Sequence, residues 1–152
     1  MSILFVAGLL SLLAAPSPRP PRVLFVGNSL TCVNDLPAMV ARISASIGAP
    51  LETHSIVAPN YGLEDHWNDG IVQGLLTRER WDVVVLQQGP SSLPESGTNL
   101  IDYTARFGTI IRAAGACPAV YTRHRSAPTS RHFIQVSVAE TLRGLAAPCV
   151  PR

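Results

Sequence analysis

The chain reads as an α/β protein, a three-layer α/β/α sandwich built on a parallel sheet. Three observations carry that expectation. Short uninterrupted apolar runs occur, "VLFV" at 23–26 and "VVVL" at 83–86, with a shorter "AVY" at 119–121. Strands that are apolar on consecutive residues suit burial on both faces, the condition of a parallel sheet. Between these runs lie segments with apolar residues at helical spacing, and the two kinds of segment alternate, which implies right-handed crossovers between neighbouring strands.

The opening stretch, "MSILFVAGLLSLLAAPSPRPPR", is apolar over residues 3–15 and then breaks into Pro and Arg. That is shorter than the roughly 20 residues a spanning helix needs, so residues 1–21 are expected to be a signal peptide with a Pro-rich linker, an uncleaved anchor being the alternative. Export to a secreted or periplasmic location follows, with no stable membrane span after processing. The first strand covers "VLFV". Leu36, Met39, Val40, Ile43 and Ile47 then share a helical face, with Asn34 or Asp35 as cap, Pro37 in the first turn and Gly48 as the stop. "LETHSIVA" at 51–58 suits a second strand. Leu63, Trp67, Ile71 and Leu75 predict one helix over 63–78, and Leu100, Phe107, Ile111 and Ala114 predict another, closed by Gly115 before the "AVY" strand.

After Tyr121 the texture changes. The segment "TRHRSAPTSRHFIQVSVAETLRGLAAPCVPR" carries five arginines and no convincing buried strand. The expected organisation is therefore a domain over 22–122 and an atypical tail over 123–152, with the last strand and helix of a doubly wound sheet missing. One reading of this is a truncated or frame-altered version of a longer chain, the change beginning near Tyr121; a naturally short relative is the other.

Composition narrows the function classes. With 47% hydrophobic and 14% charged residues the chain is globular in type rather than disordered. The net charge of +2 comes from scattered arginines, with no lysine, which argues against nucleic acid as a partner. Cys32, Cys117 and Cys149 lack the paired short spacing of a zinc site, so no metal or other cofactor is expected. Cys117 and Cys149 could pair, but three small buried side chains are the simpler reading.

The informative stretch is "RVLFVGNSLT". In open α/β sheets ligands bind where the strands deliver their carboxyl ends, and Ser29 lies two residues beyond the Gly27 that ends the first strand. A hydroxyl there, near backbone N–H groups at a helix start, is a plausible nucleophile setting; an ordinary turn or cap is the competing role.

Taken together, "VLFVGNSLT", "NYGLEDHW" and "WDVVVLQQGPSS" resemble the ordered blocks of the SGNH (GDSL-like) hydrolase superfamily, in particular a bacterial branch whose serine block reads GNS. The resemblance covers about residues 22–121 and implies a flavodoxin-like fold and cleavage of carboxylic esters, such as acetyl groups on carbohydrates or acyl chains on lipids. It makes Ser29 the nucleophile and its N–H one oxyanion donor, with the Gly62 N–H as the second. The third donor, usually an asparagine, falls on Gln87 or Gln88, with Gln88 preferred; consecutive strand residues face opposite sides, so one of the two is expected to face a helix instead. The Asp-x-x-His that supplies the base in that superfamily does not occur in this chain. His54 and His66 lie upstream, and the possible bases are His124 and His132 in the tail. The implied partner is a small-molecule or glycan ester. Alternatives are a non-catalytic glycan- or acyl-binding module on the same scaffold, a phosphate-cradling loop at "GNSLT", and, more distantly, Cys32 as nucleophile.

Overall fold

The computed structural model describes residues 19–89 and 94–121. The expected signal peptide, the tail over 123–152 and the boundary at 122 lie outside the described residues. Four strands form one wholly parallel sheet: β1 (Arg22–Gly27), β2 (Glu52–Val57), β3 (Val83–Gln87) and β4 (Cys117–Tyr121), in the spatial order β2-β1-β3-β4. The register sets Val23 between Thr53 and Val83, and Val26 between Ile56 and Leu86. β1 is therefore central and its residues from Val23 onward are buried, which is why it reads as a continuous apolar run. β2 lies at an edge and is half exposed, matching its polar alternation "ETHSIV".

Leu24, Val26, Val84 and Leu86 line one face of the sheet and pack against α3 (Leu63–Asp69), α4 (Ile71–Arg78) and α5 (Pro94–Ala113) through Leu63, Val72, Leu76, Phe107 and Ile111. On the other face lie Val23, Phe25 and Gly27, together with the short α1 (Ser29–Cys32) and α2 (Leu36–Ser46). The three-layer α/β/α architecture expected from the sequence is the one observed. At the amino ends of the strands, the Asp82 carboxylate accepts from the Arg22 N–H at 2.7 Å and from both terminal nitrogens of Arg19 at 2.8 and 3.0 Å. The Arg22 guanidinium lies 4.3 Å from the centre of the Trp81 ring and reaches Glu79 at 2.7 Å. These contacts pin β1 to β3 at the end remote from Ser29.

Three expectations need correction. The single helix over 63–78 is two helices, parted at Gly70, whose φ of 71° lies in the left-handed region that glycine adopts without steric cost. The break shifts the periodicity by one residue: Val72 and Leu76 enter the core and Ile71 is left 49% exposed. The helix over 36–46 has its Asp35 cap, which accepts from the Ala38 N–H, and Gly48 ends it at φ 77°. Its apolar face nevertheless points away from the core, with Ile43 61% and Ile47 75% exposed. Finally, the cysteines are not all small buried thiols: Cys32 is free and exposed, and Cys117 is disulfide-bonded.

Candidate functional site

After β1 the chain crosses to β2 on one side and returns to β3 on the other, so the carboxyl ends of β1 and β3 form the switch point of the sheet, where open α/β folds hold their ligands. Gly27 closes β1 and Gln87 closes β3. Asn28, extended in backbone, caps α1: its Oδ1 accepts from the Leu30 N–H at 3.1 Å, and its carbonyl accepts from Thr31 and Cys32. The same side chain donates through Nδ2 to the Tyr61 carbonyl at 2.9 Å, tying the serine turn to the loop that ends in Gly62. Ser29 is the first residue of α1. It is exposed, and among the described residues neither its hydroxyl nor its N–H meets a partner. A free hydroxyl and a free N–H on one fixed residue are what an attacking group and an oxyanion donor require.

The turn is gripped from both faces of the sheet. On the α1 side, Gln87 Oε1 accepts from the Asn28 N–H at 3.0 Å and from Thr31 Oγ1 at 2.8 Å. A Cβ on Gly27 would lie 2.4 Å from that oxygen, so glycine is required for the amide to fit. From the opposite face, His66 Nε2 donates to the Gly27 carbonyl at 2.8 Å. A carbonyl only accepts, which fixes the proton on Nε2. His66 is 1% exposed, stands edge-on to Tyr61 with ring centres 5.0 Å apart, and its Nδ1 has no partner among the described residues. This ring is a strut under the serine turn, already committed through the nitrogen that faces it.

The other expected donors are occupied. The Gly62 N–H donates to Asp65 Oδ2 at 2.8 Å, within the first turn of α3. Gln88, preferred as the third donor, is buried with both ends of its amide engaged: Oε1 accepts from the Leu63 N–H at 3.0 Å, and Nε2 donates to the carbonyl and hydroxyl oxygens of Ser96 at 3.1 and 3.3 Å. It stitches the start of α3 to the start of α5, and no free donor remains on it. Of the sequence-identified residues, the structure thus gathers Ser29, Gly62, Gln87 and Gln88 around one turn, with Ser29 alone unengaged. His54, paired in register with Leu24 and edge-on to Trp81 at 5.2 Å, lies toward the other end of the sheet. His124 and His132 lie outside the described residues.

Two groups at the site were missed in the sequence. Asp65 carried a readable signal, an acidic residue three positions after the helix cap, the pattern that returns a side chain to the cap N–H. Glu64 accepts from Asn99 Nδ2 and, at 2.9 Å, from the Tyr103 hydroxyl, joining α3 to α5; the bond to Glu64, with burial added, pushes the Tyr103 phenol above its ordinary value. No sequence signal marked that pair. Among the described residues no cluster of three or more His, Cys, Asp or Glu could hold a metal ion, and no helix is long and apolar enough to cross a membrane.

No protein-family model matches the chain, and no curated protein matches it. Among solved structures it is similar to a protein from Slackia heliotrinireducens described as a putative SGNH hydrolase, with 27% identity and a TM-score of 0.63 over 84% of this chain and 71% of that one. The four-stranded parallel sheet flanked by helices is consistent with an SGNH hydrolase-like fold, and the likeness supports a hydrolase of that superfamily.

Proposed function

We propose that the chain is an exported serine hydrolase of the SGNH type that acts on carboxylic esters, carbohydrate O-acetyl or lipid acyl groups, through an acyl-serine intermediate. The observation that supports the reading most is Ser29: exposed, unengaged, and first in α1 at the switch point of the sheet. Its oxygen attacks the ester carbonyl while its proton passes to a base, the alcohol leaves with a proton, and water then releases the acid. The Ser29 N–H is one oxyanion donor. The Gly62 N–H becomes a second when Asp65 lets it go, each donor contributing about 3 kcal/mol at the transition state. The base falls to His124 or His132, since neither described histidine presents a free nitrogen to Ser29. The apolar stretch at residues 3–15 supports export. The bacterial GNS branch belongs to the same reading.

A second reading has its own support. The Gly62 N–H and the Gln88 amide are both spent on internal bonds, which favours a glycan- or acyl-binding module that retains the cleft without turnover. One experiment separates the two: the full chain is treated with a fluorophosphonate probe beside Ser29→Ala and read by intact mass. The hydrolase reading expects a single adduct that the substitution abolishes. A folded chain that takes up no probe sinks it and leaves the binding module.

A further inference from the structure

We propose that Gln87 is a positioning residue for the Ser29 nucleophile, a proposal that rests on the hydrolase reading above. Sequence resemblance offered Gln87 and Gln88 as candidate oxyanion donors, and the structure gives Gln87 a different task. Its Oε1 accepts from the Asn28 N–H and from the Thr31 hydroxyl, the residue before Ser29 and the second residue after it. One oxygen therefore ties both flanks of the nucleophile to the end of β3.

Three further observations separate this from ordinary packing. Gln87 is 2% exposed and its Nε2 has no partner among the described residues, so half of the amide is buried unsatisfied, which is unfavourable. An apolar side chain of the same size would avoid that cost, so the amide is explained by what its oxygen does. The space it occupies is the space a Gly27 Cβ would fill, so strand end and clamp fit only as a pair. The adjacent Gln88, with its oxygen on Leu63 and its nitrogen on Ser96, holds helices together, and its hydrogen bonds among the described residues go to α3 and α5 rather than to the serine turn. Two neighbouring glutamines of the same strand end thus divide into a clamp on the nucleophile and a tie between α3 and α5.

The test is saturation labelling of the full chain by a fluorophosphonate probe, which separates the half-saturating concentration from the maximal rate of Ser29 modification. Gln87→Met keeps length and burial and removes the acceptor. The expected result is a maximal rate reduced about 10- to 100-fold, the scale of a misplaced reacting group, with the half-saturating concentration unchanged. Gln87→Glu restores an acceptor to both donors and is expected to recover the maximal rate to within about threefold of wild type. Thr31→Val removes one of the two donors at constant shape and carries the test if Gln87→Met does not fold; its expected maximal rate lies between those of wild type and Gln87→Met. Wild-type labelling with an unimpaired Gln87→Met, or with an unimpaired Thr31→Val where Gln87→Met does not fold, overturns the role of Gln87 alone, as does failure of Gln87→Glu to recover more than Gln87→Met. A wild-type chain that is folded and unlabelled overturns the hydrolase reading itself, and with it the role assigned to Gln87.

Discussion

Replacing Gly27 by alanine tests how tightly the strand end and the serine turn are coupled. The added methyl would lie 2.4 Å from Gln87 Oε1, 2.6 Å from Thr31 Oγ1 and 3.0 Å from Gln87 Cβ, all inside van der Waals contact. Backbone conformation is not the obstacle, since Gly27 is not among the residues of positive φ. The obstacle is that the nearest atom, although it ends a flexible side chain, accepts two hydrogen bonds and cannot withdraw without releasing both. Overpacking costs about 1–3 kcal/mol, and leaving the buried Asn28 N–H without an acceptor costs a similar amount. A destabilisation of about 3 kcal/mol is therefore expected, a fall in Tm of about 6–12 °C for a chain of this size. Urea denaturation of wild type, Gly27→Ala, Gln87→Ala and the double variant gives the measurement. Truncating Gln87 removes the nearest oxygen the methyl strikes and frees the Thr31 hydroxyl, the next nearest, to rotate away, so the double variant should be more stable than the sum of the single changes by at least about 1 kcal/mol. Additive losses, or a Gly27→Ala chain within about 0.5 kcal/mol of wild type, would refute the reasoning.

Two more expectations concern the two ends of the same strands. His66→Phe keeps a ring against Tyr61 and removes the bond to the Gly27 carbonyl, so stability should fall by about 1 kcal/mol and Ser29 labelling should slow; unchanged labelling would show that the strut does not bear on the turn. Asp82 is pushed up by burial but pulled further down by the Arg19 hydrogen bond, the Arg22 N–H and the charges of Arg19 and Arg80, leaving its carboxyl below the ordinary value. A lowered folded-state value contributes stability that is complete above the unfolded value and is lost as pH falls through the folded one. Asp82→Asn should therefore lose less stability than wild type between neutral pH and the acid end of the carboxylate range, and parallel urea midpoints for the two across that interval would count against the assignment.

What the sequence disclosed follows from what burial imprints on it. β1 and β3 are covered on both faces, so "VLFV" and "VVVL" are apolar at every position and could be read directly, and Ser29 could be placed because Gly27 marks where the first of them ends. The break at Gly70 was also written there, in the "NDG" that ends on the left-handed residue; reading Leu63, Trp67, Ile71 and Leu75 as one stripe hid it. The outward turn of Ile43 and Ile47 was not legible, because an apolar stripe records that a face is apolar and not which body covers it.

The site divides along a similar line. Periodicity reports the surroundings of one residue at a time, whereas an oxyanion donor is defined by the absence of any other acceptor, a property of pairs. Gly62 and Gln88 had the right chemistry and the right end of the sheet, yet Asp65 takes the N–H of the first and Ser96 the amide of the second. Gln87 could not be told from Gln88 by type, and the pleat decides between them: one residue past the Val26–Leu86 pair, residue 87 lies on the face of Gly27 and reaches the turn, while residue 88 is turned toward α3. A glutamine pair at the end of a central strand accordingly shows that amides are available at the site, and only the register shows which of them holds the serine turn.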